Sequence, residues 1–137
     1  MRIFDIEKTG ILEEFKNHNS AIRCLEYSPD GKYLIVVDAS IAMLYSPMHG
    51  HQPIKHLPID LPSKSSSASF SPDSQTLALI GDSSTHIDLW NTSSLQMIGK
   101  IFTGRSTNKV VFAPNGDLWA VFDDCSIRRY NIDKLTI

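Results

Sequence analysis

The stretch Ser28-Pro29-Asp30-Gly31 occurs twice more in altered form, as Ser71-Pro72-Asp73-Ser74 and Ala113-Pro114-Asn115-Gly116. The three prolines stand 43 and then 42 residues apart. Spacing this regular marks an internal repeat, and the length of the repeat decides the fold class before any single residue does. Each copy has the chemistry of a tight turn. Proline in the second position presets φ, the Asp or Asn after it bonds back to the backbone, and Gly31 and Gly116 tolerate a left-handed exit.

Working outward, each turn separates two short segments of strand character. "AIRCLEYS", "SSASFS" and "KVVFA" precede it, and residues 33–37, 76–80 and 118–122 follow it, rich in β-branched and aromatic side chains. These are hairpins. A third strand follows in each unit, "IAMLYS", "HIDLWN" and "SIRRYN", whose aromatics Tyr45, Trp90 and Tyr130 are 45 and 40 residues apart. "MRIFDI" at the N-terminus has the same form, with Phe4 placed 41 residues before Tyr45, so the chain is expected to open on the tail of a preceding unit. Fourth strands fall at "ILEEF", "PIKHLPI" and "QMIGKIF". The middle one carries two prolines that cannot donate to a ladder, which suits an outer edge strand or an irregular loop.

A period of 40 to 45 residues with four short strands in each is the pattern of propeller blades, an all-β architecture. The units resemble the WD-repeat β-propeller family. Trp90-Asn91 stands where that family has its Trp-Asp pair, with Phe4-Asp5, Tyr45-Ser46 and Tyr130-Asn131 as degenerate versions. His18, 27 residues before Tyr45, takes the family's Gly-His position, with Asn17 in place of the glycine. The resemblance covers almost the whole chain. It implies a propeller segment of about three four-stranded antiparallel blades: residues 1–6 end a preceding blade, repeats cover 11–46, 53–91 and 96–131, and 135–137 begin the next.

In that family a buried His, a Ser or Thr, an Asp in the turn before the third strand and the Trp form a hydrogen-bonded brace in each blade. The resemblance therefore implies structural roles for His18, Asp38, Asp82, Asp124, Tyr45, Trp90 and Tyr130. Asp124 lies six residues before its aromatic, whereas Asp38 and Asp82 lie seven and eight before theirs, so complete braces are not expected. The carboxylates read as structural and not catalytic.

Composition limits the remaining classes. Among 137 residues, 42% are apolar and 20% charged, which is enough to bury one core. The net charge is −2 and no basic run exceeds Arg128-Arg129, which argues against nucleic acid or an anionic membrane as partner. Cys24 and Cys125 both fall in apolar-alternating runs and read as reduced, core-facing thiols of a cytoplasmic protein. No apolar stretch is long enough to span a bilayer, and Asn91-Thr92-Ser93 matches the glycosylation pattern without a leader sequence before it.

His49, His51 and His56 sit in one segment, but no thiolate or carboxylate accompanies them at a metal-ligand spacing, so the loop is expected to be solvated and metal-free. "KSSSAS", residues 64–69, reads as a loop running into a strand, with hydroxyls that could accept phosphate. No phosphate loop, nucleophile elbow or dinucleotide fingerprint occurs, and no cofactor is expected. The aromatics Phe70, Trp90, Phe112, Trp119 and Tyr130 fall on alternating strand positions and read as packing between blades.

A chain that starts and stops in mid-blade leaves sheet edges uncovered. Either it is part of a longer polypeptide or several copies close a ring; the first is expected, because both ends look like repeat interior. The function expected is a non-enzymatic protein-interaction scaffold. The repeats are similar to those of large multi-propeller proteins of centrioles and cilia, which implies a microtubule-based location and tubulin or other ciliary proteins as partners. The alternative is a recruiting propeller in a chromatin, ubiquitin-ligase or vesicle-coat complex. Arg105, Lys109, Arg128 and Arg129 are the partner-binding candidates, since residues 97–137 carry six basic and four acidic groups, an excess of +2.

Overall fold

The computed structural model describes residues 2–5, 10–14, 21–38, 42–47, 52–57, 67–81 and 84–132. All regular structure among them is antiparallel sheet, apart from isolated helical turns. Strands β1 (Arg2–Asp5) and β2 (Gly10–Glu14) form a pair. The first full sheet is β3 (Ile22–Tyr27), β4 (Leu34–Asp38), β5 (Ala42–Ser46) and β6 (Gln52–Leu57). The second is β7 (Ala68–Phe70), β8 (Thr76–Gly81), β9 (His86–Asn91) and β10 (Gln96–Phe102). The third holds β11 (Thr107–Phe112), β12 (Leu118–Phe122) and β13 (Ile127–Tyr130). Within each sheet the strands lie side by side in chain order. This up-and-down arrangement, repeated sheet by sheet, is an arc of a β-propeller.

Short strands joined by tight turns pair with their sequence neighbours at little loop-closure cost, which is why each repeat makes its own sheet. The proline-bearing β6 is an edge strand paired only with β5. Its register passes from Leu44↔Lys55 to Tyr45↔Pro53, leaving Ile54 as an extra residue in a bulge where proline is tolerated.

The sheets pack face to face. Ile35, Val37, Ala42 and Leu44 of the first meet Ala68, Phe70, Leu77, Leu79 and Trp90 of the second. The second sheet's other face carries Ala78, Ile80, Ile87, Leu89 and Ile101, which meet Val110, Phe112, Leu118, Ala120 and Phe122 of the third. Strand β8 therefore sends Leu77 and Leu79 one way and Ala78 and Ile80 the other, all at about full burial. A strand covered on both faces needs no polar alternation, and "TLALI" has none. Burial of each large aliphatic side chain here contributes about 1.5–3 kcal/mol. On the third sheet's far face Val111, Val121 and Ile127 remain 43%, 37% and 63% exposed.

Candidate functional site

Three layers of polar side chains are built on this frame: the repeated turns at one end of the sheets, the innermost strands, and the turns at the opposite end.

In the first repeated turn the Gly31 amide closes the turn on the Ser28 carbonyl at 2.9 Å. The Ser28 hydroxyl donates to Asp30 Oδ1 at 2.7 Å and accepts from the Tyr33 amide at 3.0 Å, while Asp30 Oδ1 also accepts from the Lys32 amide at 3.0 Å. The second turn repeats this arrangement. Ser71 donates to Asp73 at 2.5 Å and accepts from Thr76 at 3.0 Å, and the Gln75 amide donates to Asp73 at 3.0 Å. These bonds favour the ionised carboxylates, so the Ser28 hydroxyl and then the Lys32 amide hold Asp30 below the usual carboxylate range, and Ser71 and then Gln75 do the same for Asp73. The third turn keeps the backbone closure, Gly116 N to Ala113 O at 2.9 Å, and uses Asn115 Oδ1 to accept from the Asp117 amide at 3.0 Å.

Ser74 departs from the glycine of the other two turns. It holds φ of 62° in the left-handed region and is almost fully buried. Its hydroxyl accepts from the Asp30 amide of the neighbouring sheet at 3.0 Å, and its carbonyl accepts from the Thr92 hydroxyl at 2.7 Å. The left-handed conformation costs a non-glycine residue about 1–2 kcal/mol. The tie between sheets offsets that.

The innermost strands β3, β7 and β11 line a groove of about 610 Å³ that includes Arg23, Glu26, Asn108 and Lys109. Between β7 and β11 the ties are side chain to backbone. Ser67 Oγ accepts from the Val110 amide at 3.2 Å, and Ser69 Oγ accepts from the Phe112 amide at 3.0 Å. An innermost strand has ladder partners on one side only, so these hydroxyls satisfy donors that burial would otherwise orphan. Between β3 and β7 the corresponding contact is Cys24 Sγ to the Ala68 carbonyl at 3.9 Å. Burial raises the Cys24 thiol above its ordinary pKa and raises Glu26 as well, with the nearby Lys109 charge opposing both shifts.

At the opposite end, the turn between β12 and β13 is closed by Cys125 N to Phe122 O at 3.2 Å. Asp124 Oδ1 accepts from the Ser126 amide at 3.0 Å and from the Ser126 hydroxyl. The hydroxyl, followed by the amide, lowers the Asp124 pKa. Arg105 completes the cluster, donating to Ser126 Oγ at 2.8 Å, lying 3.6 Å from Asp124, and covering the Phe122 ring at 5.4 Å. Arg128 lies over the same ring at 5.7 Å.

The sequence-derived candidates divide accordingly. Tyr45 and Trp90 are buried, and Tyr130 is half-buried against the second junction. Asp38 ends β4, wholly buried opposite Ile22, rather than sitting in a turn. Asp124 does lie in its turn and binds its amide, but at the surface. His18 and Asp82 lie outside the described residues, as do His49, His51 and residues 135–137; His56 is described as backbone of β6 only. Asp38 and Tyr45 belong to the first sheet, Trp90 to the second, and Asp124 and Tyr130 to the third, so the bracing candidates do not converge on one site.

One expectation needs correction. Cys125 is not a core-facing strand residue; it is exposed in the β12–β13 turn with φ of 69°, because the turn there needs a left-handed residue. Lys109 lies within β11 on the groove. Arg105 is held by the β12–β13 turn, through Ser126 and Asp124. Arg128 and Arg129 point opposite ways, as neighbours on a strand must, and Arg129 lies 3.7 Å from Asp117 and 5.9 Å from the Trp119 ring. Asp123 accepts from the Ser106 hydroxyl at 2.7 Å.

Sequence reasoning missed Ser67, Ser69 and Ser74 as ties between sheets. A signal was present, since Ser67 and Val110, like Ser69 and Phe112, stand 43 residues apart, one repeat period.

Residues 10–46 match the family described as WD domain, G-beta repeat. Two solved structures superimpose on most of the chain. The crystal structure of RRP9 WD40 repeats matches with a TM-score of 0.75 at 19% identity, over 87% of this chain and 38% of its own. The structure of U3-55K matches with a TM-score of 0.74 at 22% identity, with the same coverage of 87% and 38%. The chain thus spans little more than a third of the propellers it resembles, and at these identities the likeness carries the fold.

Proposed function

We propose that this propeller segment is a non-enzymatic scaffold for protein–protein interaction. The observation that carries the reading is that the turn carboxylates with lowered pKa values are each explained by hydrogen bonds within their own turn, while Arg128 at the rim and Lys109 on the inner groove keep their cations at the surface. Asp30, Asp73 and Asp124 are thereby bracing groups, and the sheets hold the turns and the basic rim in fixed relative positions for a partner.

The basic excess of residues 97–137 suits an acidic partner surface. Arg128, which shares Phe122 with Arg105 and donates to the Tyr130 hydroxyl at 3.5 Å, is the cation best placed to meet one. Charge reversal of Lys109 and Arg128 in the whole protein should slow association with such a partner and flatten its salt dependence, because rim charges act mainly on encounter. Equal recovery of wild type and double reversal in pull-downs at low and moderate salt would remove these residues from the interface. The finer reading, a cytoplasmic scaffold at a microtubule-based structure with tubulin as the acidic surface, is tested by location. A tagged protein found in nuclei or on vesicles and never at centrioles or cilia would replace it with the recruiting-complex alternative.

A further inference from the structure

We infer that the notch between the second and third repeated turns is a binding site for an arginine side chain of a partner polypeptide. This goes beyond the reading above, since it concerns the opposite end of the sheets and a cation as ligand. The two turn-to-turn junctions differ most where the last turn residue stands. At the first, the Ser74 hydroxyl bridges to the Asp30 amide and is buried between the turns. At the second, the equivalent residue is Gly116, and a Cβ built there would meet nothing within 4 Å.

What remains is a notch of about 280 Å³ between Asp73 and Pro72 on one side and Phe112, Pro114, Asn115 and Ile132 on the other. Its apolar wall of an aromatic ring, a proline and an isoleucine fits the stem of a long side chain. Its polar wall is acidic. Asp73 is held ionised by Ser71 and Gln75, both through Oδ1, and lines the notch; among the described residues no basic group forms an ion pair with it. Asn115 Oδ1 accepts one bond, from Asp117, and has a second lone pair. A planar guanidinium can donate to two acceptors at once while its face packs on the Phe112 ring or a proline, which an ammonium cannot do.

The test is titration of the whole protein with N-acetyl-arginine amide, followed by amide chemical shifts, with N-acetyl-citrulline amide as the uncharged isostere. Saturable shifts are expected at Asp73, Gln75, Gly116 and Ile132 with arginine, at least tenfold weaker with citrulline. Asp73→Asn keeps an oxygen for Ser71 and Gln75 and should fold with an unchanged spectrum elsewhere, yet weaken arginine binding at least tenfold. Gly116→Ser, which places a hydroxyl where Ser74 has one, should also abolish the shifts. Equal binding of citrulline, an undiminished affinity in Asp73→Asn, or arginine shifts spread evenly over Asp30, Asp117 and Asp124 would each overturn the inference.

Discussion

The two sheet junctions of this molecule bury similar apolar faces but are fastened at different heights. The junction between β3–β6 and β7–β10 is tied at the repeated turns, through Ser74 and Asp30, and has a long sulfur contact at the inner strands. The junction between β7–β10 and β11–β13 is tied at the inner strands, through Ser67 and Ser69, and again near Thr103, whose hydroxyl lies 3.0 Å from that of Thr107, but is open at the repeated turns. Apolar packing between sheets is non-directional and sets distance; the hydroxyl ties set registration along the strands. A repeat can therefore vary the place of its ties without changing the fold, and where a tie is omitted a notch remains.

The contrast between the junctions can be broken by mutation. The largest effect is expected at Trp90, 5% exposed in the first junction, where Trp90→Ala should cost about 3–5 kcal/mol of unfolding free energy in a denaturant titration. Tyr130→Ala, at the half-buried edge of the second junction, should cost clearly less. Equal losses would mean that the two positions share one core environment. Next come the inner ties: Ser69→Ala leaves the Phe112 amide without its acceptor and should cost about 1–3 kcal/mol, whereas Cys24→Ser at the other junction should move the midpoint little. At the repeated turns, Ser74→Gly exchanges a lost tie for relieved backbone and should be near neutral, while Ser74→Ala loses the tie and keeps the strain, costing about 1 kcal/mol more.

The smallest effect is that of pH. Asp30 and Asp73 have lowered folded-state pKa values, so their contribution to stability is complete above the unfolded value of about 3.9 and disappears as pH falls through the folded values. Wild-type stability should therefore drop below about pH 4 more steeply than that of an Asp30→Asn, Asp73→Asn double variant. Parallel acid profiles would show that the turn bonds do not discriminate between protonation states.

The sequence was most legible where structure is local. The turn residues, the three strands of each repeat and the burial of Trp90 and Phe112 between sheets follow from spacing and alternation, because a hairpin is specified by the residues it contains. Strand β12 falls at 118–122 as its pattern dictates. Legibility failed where the deciding partner sits in the next repeat. "SSAS" reads as a loop running into a strand, and only β11 lying beside it turns Ser67 and Ser69 into acceptors. Cys125 reads as strand because its apolar character hides a left-handed turn position that glycine fills elsewhere. Arg105 reads as a free rim charge until the turn brings Asp124 and Ser126 to it.

Amide hydrogen exchange of Val110 and Phe112 in the folded whole protein tests most directly whether serine side chains register one blade on the next. Each of these amides donates to a serine hydroxyl of the neighbouring sheet. Both should be protected in the wild type, and in a Ser67→Ala, Ser69→Ala double variant both should exchange at least tenfold faster while amides inside the β8–β9 ladder keep their rates. Rapid exchange of Val110 and Phe112 in the wild type, or protection that survives loss of both hydroxyls, would contradict registration by serine.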